Sequence, residues 1–211
     1  MLSLLAGMAL LSSQAPTALA PTDDVWVYPH AGPQDDDAFM RVWGTNEYAI
    51  GTPSPGAFDF SFSLLRFKGA IPAASKKIVQ TLYHAADPAW SMEDVKKAPL
   101  ELRLAPGGFR EGTWEFGLAA KHLPAKDDTA ILAKAVPGER LEEKPIKFTF
   151  TITDAAVVAD LVRRADSSEG LNFALSTRMN SEGMGEGRTY KLFSRNAPAE
   201  NASQKPSLTW E

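Results

Sequence analysis

The stretch from Lys147 to Thr177, KFTFTITDAAVVADLVRRADSSEGLNFALST, constrains the fold more than any other part of the chain. Phe148, Phe150 and Ile152 alternate with Thr149, Thr151 and Thr153, the period of a strand with one apolar face and one β-branched polar face. Asp154 is placed to cap a helix in which Val157, Val158, Leu161 and Val162 recur at helical spacing. Leu171, Phe173 and Leu175 then resume the alternation. The expected order is strand, one short helix, strand. Almost everything else reads as short strands, so this helix is a landmark of the topology.

Strand-like alternation recurs at 24–29 (DVWVYP), 39–43 (FMRVW), 58–68 (FDFSFSLLRFK), 78–84 (IVQTLYH), 99–105 (PLELRLA) and 113–118 (TWEFGL). It is weak at 129–136 and returns in YKLFS and SLTW near the C-terminus. In 58–68, Phe58, Phe60, Phe62 and Leu64 share one face, and Leu65 and Phe67 continue on the other. That change of phase predicts either a bulge near Leu64–Leu65 or a strand end buried on both faces. Residues 78–84 are expected to pair with this strand after the turn IPAASKK. In 99–105 the leucines should face inward, with Glu101 and Arg103 outward; in 113–118, Trp114, Phe116 and Leu118 should share a face. No repeat of 20–50 residues is visible, which argues against a propeller or solenoid. The fold class expected is all-β: an antiparallel β-sandwich of jelly-roll type with one short helix between late strands.

At 211 residues, the chain is long enough for one large β domain, taken here as residues 21–211. A net charge of −4 and the lack of a basic stripe disfavour nucleic acid as a partner. Cysteine is absent, which removes disulfides, thiol catalysis and zinc–thiolate sites. Residues 1–20 read as an export signal peptide, with an apolar run from Leu2 to Leu11 and a small-x-small exit at Ala18-Leu19-Ala20. Against that pattern, no Lys or Arg precedes the run, and cleavage after Ala20 would leave Pro21 first. The run is shorter than the ~20 residues a membrane-spanning helix needs. The expectation is a secreted, periplasmic or cell-surface monomer with no membrane span in its mature form.

His30, His84 and His122 are scattered and fall in no metal motif, so each reads as an ordinary surface or hydrogen-bonded residue. There is no GxSxG elbow or phosphate-binding loop, and GMGEG at 183–187 lacks the following helix a phosphate site requires. Asp35 and Asp37, beside Asp36 and with Asn46 from the neighbouring loop, offer hard oxygen ligands suited to Ca²⁺, although the spacing is not that of an EF-hand. Trp26, Trp43, Trp114 and Trp210 sit in alternating segments and read as core. Trp90 lies instead among polar and acidic residues in ADPAWSMED, where an indole can stack on a sugar ring. Arg110, Arg178, Arg188 and Arg195, on loops, are the candidates for contacts with an acidic glycan, whereas Arg66, between bulky apolar neighbours, reads as half of a structural ion pair.

Taken in order, DDVWVYPHAGPQDDD, SLLRFKGAIPAASKKIVQTLYHAA, GFREGTWEF, FTITDAAVVADLVRRADSSEGLNFAL and YKLFSRNAPAENASQKPSLTWE resemble the DNRLRE-type domain, a bacterial extracellular jelly-roll family linked to carbohydrate-binding modules. The eponymous motif itself is absent, and residues 121–146 read as an insertion. The resemblance implies a non-catalytic domain, and some relatives bind acidic polysaccharides. Three functions follow, in descending order: a secreted carbohydrate-binding domain for a polysaccharide or other glycan, requiring no cofactor beyond an optional Ca²⁺; a structural or adhesion domain of a cell-surface assembly; and a polysaccharide-degrading enzyme.

Overall fold

The computed structural model describes residues 17–27, 38–44, 61–85, 91–114, 116–122, 124–125, 127–141, 144–179 and 189–211. Their regular elements, in chain order, are β1 (Ala18–Leu19), β2 (Pro21–Val27), β3 (Phe39–Val42), β4 (Phe62–Phe67), β5 (Ile78–His84), α1 (Met92–Lys97), β6 (Glu101–Leu104), β7 (Ile131–Lys134), β8 (Val136–Pro137), β9 (Ile146–Ile152), α2 (Ala155–Ala165), β10 (Leu171–Ser176), β11 (Tyr190–Phe193) and β12 (Ser207–Trp210).

The strands form two antiparallel sheets. The first runs β2-β4-β10-β6-β7. In the second, β9 pairs along the whole of β5, so β11 and β12 share the opposite edge of β5, each taking part of it. Beyond them lie β3 and β1, and β8 lies outside β9. The quartets β4-β10-β6-β7 and β3-β11-β5-β9 have the interleaved order of a jelly roll. Strands β3, β4, β5 and β6 change sheet at every step. For that reason β5 does not pair with β4 as expected from the intervening turn. Instead the chain rounds the end of the sandwich there, burying Ile71 in the core.

The inner faces meet in one apolar core. Phe67, Leu102, Phe173 and Leu175 of the first sheet face Ile78, Leu82, Phe148, Phe150 and Leu192 of the second. Helix α2 closes one end of this core. Asp154 Oδ1 accepts the amide of Val157 at 3.0 Å, the N-cap expected from sequence, and Val158, Leu161 and Ala165 face inward. The short helix α1 was not expected. Ser91 caps it by accepting the amides of Glu93 and Asp94, and Val95 anchors it in the core.

The first sheet is buried on both faces. Strand β4 pairs with β10 in unbroken register from Phe67↔Leu171 to Ser63↔Leu175, so the change of phase is not a bulge. Leu65 and Phe67 point into the main core, and Phe62 and Leu64 point into a second cluster with Val25, Val27, Phe109, Trp114 and Ala174. The described residues within 105–130 cover that outer face, Phe109, Trp114 and Ala119 joining its cluster. They do so with the 3-10 turns Glu111–Thr113, Phe116–His122 and Asp128–Ala130, not with the strand expected at 113–118. Both edges of β6 are already occupied, by β10 and β7. The 113–118 segment therefore lies across the face, with Trp114 and Leu118 packed down on it. Glu101 and Arg103 do point outward, but beneath this cover they are only 3% and 0% exposed.

Candidate functional site

The outward face of the second sheet has a different make-up. Alternation sends Ile146, Phe148, Phe150 and Ile152 of β9 inward, leaving Lys147, Thr149 and Thr151 outward. The same parity turns Val79, Thr81 and Tyr83 of β5 outward, with Ser207 and Thr209 of β12, Lys191 and Phe193 of β11, and Phe39 and Arg41 of β3.

Register assembles these residues into rows across the strands. Phe193 lies opposite Phe39, with ring centroids 5.0 Å apart. Leu192 pairs with His84, which carries Phe193 alongside Tyr83, and Tyr83 in turn is opposite Lys147. The first row is therefore Phe39, Phe193, Tyr83 and Lys147. Phe39 and Tyr83 are half-buried and Phe193 is buried. The second row is Ser207, Thr81 and Thr149; the third is Thr209, Val79 and Thr151. Lys191 places its Nζ 4.6 Å from the Phe39 ring centroid, a cation–π contact at one end of the aromatic row. At the rim, the Arg41 guanidinium lies 5.1 Å from the ring centroid of Trp26, which meets Trp43 edge-on. The charged groups in and beside these three rows are the cations Arg41, Lys147 and Lys191, and the next row in the same parity holds the ion pair of Lys77 Nζ with Glu211 Oε1 at 2.7 Å. Such a face offers ring surfaces for the C–H side of a pyranose, hydroxyls for its oxygens and ammonium groups for its acid substituents.

The loop residues singled out from sequence are not gathered here. Trp90 and Arg188 lie outside the described residues, as do the candidate Ca²⁺ ligands Asp35, Asp37 and Asn46. Among the described residues, no group of three or more His, Cys, Asp or Glu is arranged to hold a metal ion.

Arg195 and Arg110 flank one polar network at the β2 edge of the first sheet. Arg195 Nε donates to Glu111 Oε2 at 2.6 Å, and its backbone amide donates to Asp24 Oδ2 at 2.6 Å. Asn196 Nδ2 donates to Glu111 Oε1 at 2.8 Å, and the Asp24 amide donates to Glu111 Oε2 at 3.0 Å. Arg110 stands 3.8 Å from Glu169, whose carbonyl accepts Arg66 Nε at 2.7 Å. Arg66 Nη1 meets Asp23 Oδ2 at 2.7 Å, the structural ion pair that its apolar neighbours in the sequence imply.

Burial pushes the Asp24 carboxyl up to about 7; the Arg195 amide opposes this, and the negative charge of Glu111 adds to it. Burial also pushes Asp23 upward, but hydrogen bonds from Arg66 and Thr22 outweigh it and hold the group below its ordinary value.

Arg178 belongs to a second network. Its Nε is 3.3 Å from Glu101 Oε1, and it also pairs with Asp128. Glu101 Oε2 accepts Arg103 Nη2 at 2.6 Å, and Arg103 Nη1 reaches the carbonyls of Ala125 and Asp127 at 2.9 and 2.7 Å. Arg110, Arg178 and Arg195 each face a carboxylate in the fold, so a ligand would have to compete for them. Of the described histidines, His122 packs on Trp114 with centroids 5.6 Å apart, and burial lowers its pKa. His84 is enclosed by Phe148 and Tyr190, with Nε2 3.4 Å from the Thr189 carbonyl.

The aromatic row escaped the sequence reading, which looked to loops for a site. Its signal was the outward parity of Phe39 in FMRVW, Tyr83 in IVQTLYH and Phe193 in YKLFS. Compared with known proteins, the chain matches no family model and no curated protein. Among the described residues, no helix is long and apolar enough to cross a membrane.

Proposed function

We propose that this chain is a non-catalytic carbohydrate-binding domain that acts outside the cytoplasm and meets an acidic polysaccharide on the outward face of its second sheet. The observation that carries this reading is the row Phe39–Phe193–Tyr83–Lys147, beside two rows rich in hydroxyls. Half-buried rings held by neighbours lose little side-chain freedom when a sugar stacks on them. Lys147 and Lys191 then meet the carboxylates of uronic acid units. The jelly-roll order and the ordered resemblance to the DNRLRE-type domain support the same reading. Ca²⁺ at Asp35, Asp37 and Asn46, stacking by Trp90 and a contact from Arg188 belong to this proposal as accessory interactions.

Calorimetric titration of the purified protein with a uronic-acid polysaccharide, and with a neutral one, tests it. Binding to the acidic polymer is expected to weaken about tenfold in Tyr83→Ala, a loss of ~1.4 kcal/mol. It should also weaken in Lys147→Ala but not in Arg178→Ala. No binding of any glycan at millimolar sugar would sink the proposal and leave the adhesion reading in its place. An unchanged melting temperature in chelator would remove the Ca²⁺ part alone.

A further inference from the structure

We infer that Ala18 and Leu19 are part of the mature folded protein, so that any leader peptidase acting on this chain cuts upstream of Ala18 and not at the small-x-small exit after Ala20. Strand β1 pairs antiparallel with β12, Ala18 against Thr209 and Leu19 against Leu208. The Leu19 side chain packs on the main core, which includes Leu208. The loop after β4 is shaped around it: a Cβ on Gly69 would lie 2.6 Å from Leu19 Cδ2. Gly69 in turn donates its amide to the carbonyl of Ala165 at 3.0 Å, tying this corner to the end of α2.

Two residues after Leu19 the chain is in the other sheet, where Pro21 is buried and lies opposite Phe67 of β4. Ala18 to Pro21 therefore join the two sheets at this end of the sandwich. Cleavage after Ala20 would have three consequences. It would remove β1 from the edge of β12, leaving backbone groups there without their strand partner. It would uncover the apolar contact of Leu19 with the core. It would also create a charged imino terminus at Pro21, a buried position, and a charge placed there without a partner opposes folding.

The test is to produce the full chain in an exporting bacterium and read its first residue by intact mass and N-terminal sequencing. A first residue at or before Ala18 is expected; one after Ala18 overturns the inference. Leu19→Ala in the same full chain gives an independent reading. It should lower the melting temperature of the recovered protein by ~3 °C or more. An unchanged melting temperature would mean that Leu19 is absent from the folded product or idle in it, and either overturns the inference.

Discussion

The outer faces of the two sheets differ more than the sheets themselves. Both sheets are antiparallel, and both turn one face to the shared core. On the first, the outward residues include Val25, Val27, Phe62 and Leu64, and residues 105–130 fold down to cover them. On the second, the outward residues are mainly threonines, Ser207, lysines and a row of rings. Each Å² of apolar surface removed from water stabilises by about 25 cal/mol, so the first face recruits a cover. The second face, with more hydroxyls and charges, gains less from one.

That contrast can be broken from the covered side, where the largest effects should lie. Arg103→Ala leaves Glu101 buried without its strongest partner; urea unfolding should show a loss of ~3–5 kcal/mol. Trp114→Ala removes a ring from the cover and should cost about 3–5 kcal/mol in the same assay. If either variant unfolded like the parent, residues 105–130 would be decoration and the two faces would be alike.

Asp24 sets a pH dependence at the edge of the covered sheet. Its carboxyl is raised from 3.8 to about 7, so the folded state holds a proton that the unfolded state has already released. The stability this proton confers is complete below pH 3.8 and is lost as pH rises through about 7. At ~1.4 kcal/mol per pH unit across that interval, ionisation costs the fold ~4 kcal/mol. Asp24→Asn keeps an acceptor for the Arg195 amide and removes the titration. Its melting temperature should vary less than the parent's between pH 4 and 7 and exceed it at pH 8. Asp23, held below its ordinary value, acts in the opposite sense and only in more acidic solution.

The smallest effects belong to the outward face of the second sheet. Thr151→Ala should change stability by no more than ~0.5 kcal/mol, because its side chain points to water. Tyr83→Ala should change glycan binding about tenfold while costing far less stability than Trp114→Ala. A large stability loss at Thr151 would show that the second face is covered too.

Helix α2 was readable in full, because four apolar residues at helical spacing and an aspartate at the cap are local signals. Helix α1 was readable in principle from Ser91-x-x-Asp94, a capping signature, but six residues are too few for periodicity to stand out. Segment 113–118 misled for a definite reason: alternation reports that a segment has two unlike faces, not that it has strand partners. The charged residues of 99–105 were oriented correctly, yet their burial depended on a cover that forms only after the sheet does. At the site, Arg110, Arg178 and Arg195 looked available on loops because the carboxylates that face them are remote in sequence, as with Arg195 and Glu111.

By itself, the sequence determined most of the extended segments, where the long helix starts, and which residues on those strands turn toward the core. These follow from periods of two and 3.6 residues and from caps, all set within about a dozen positions. Only the tertiary structure decided which sheet each strand joins, which outer face is covered, that Leu19 belongs to the fold, and that Phe39, Tyr83 and Phe193 form one row. Those are outcomes of pairing between distant strands, where many partners satisfy the same alternation and the choice rests on closing one common core.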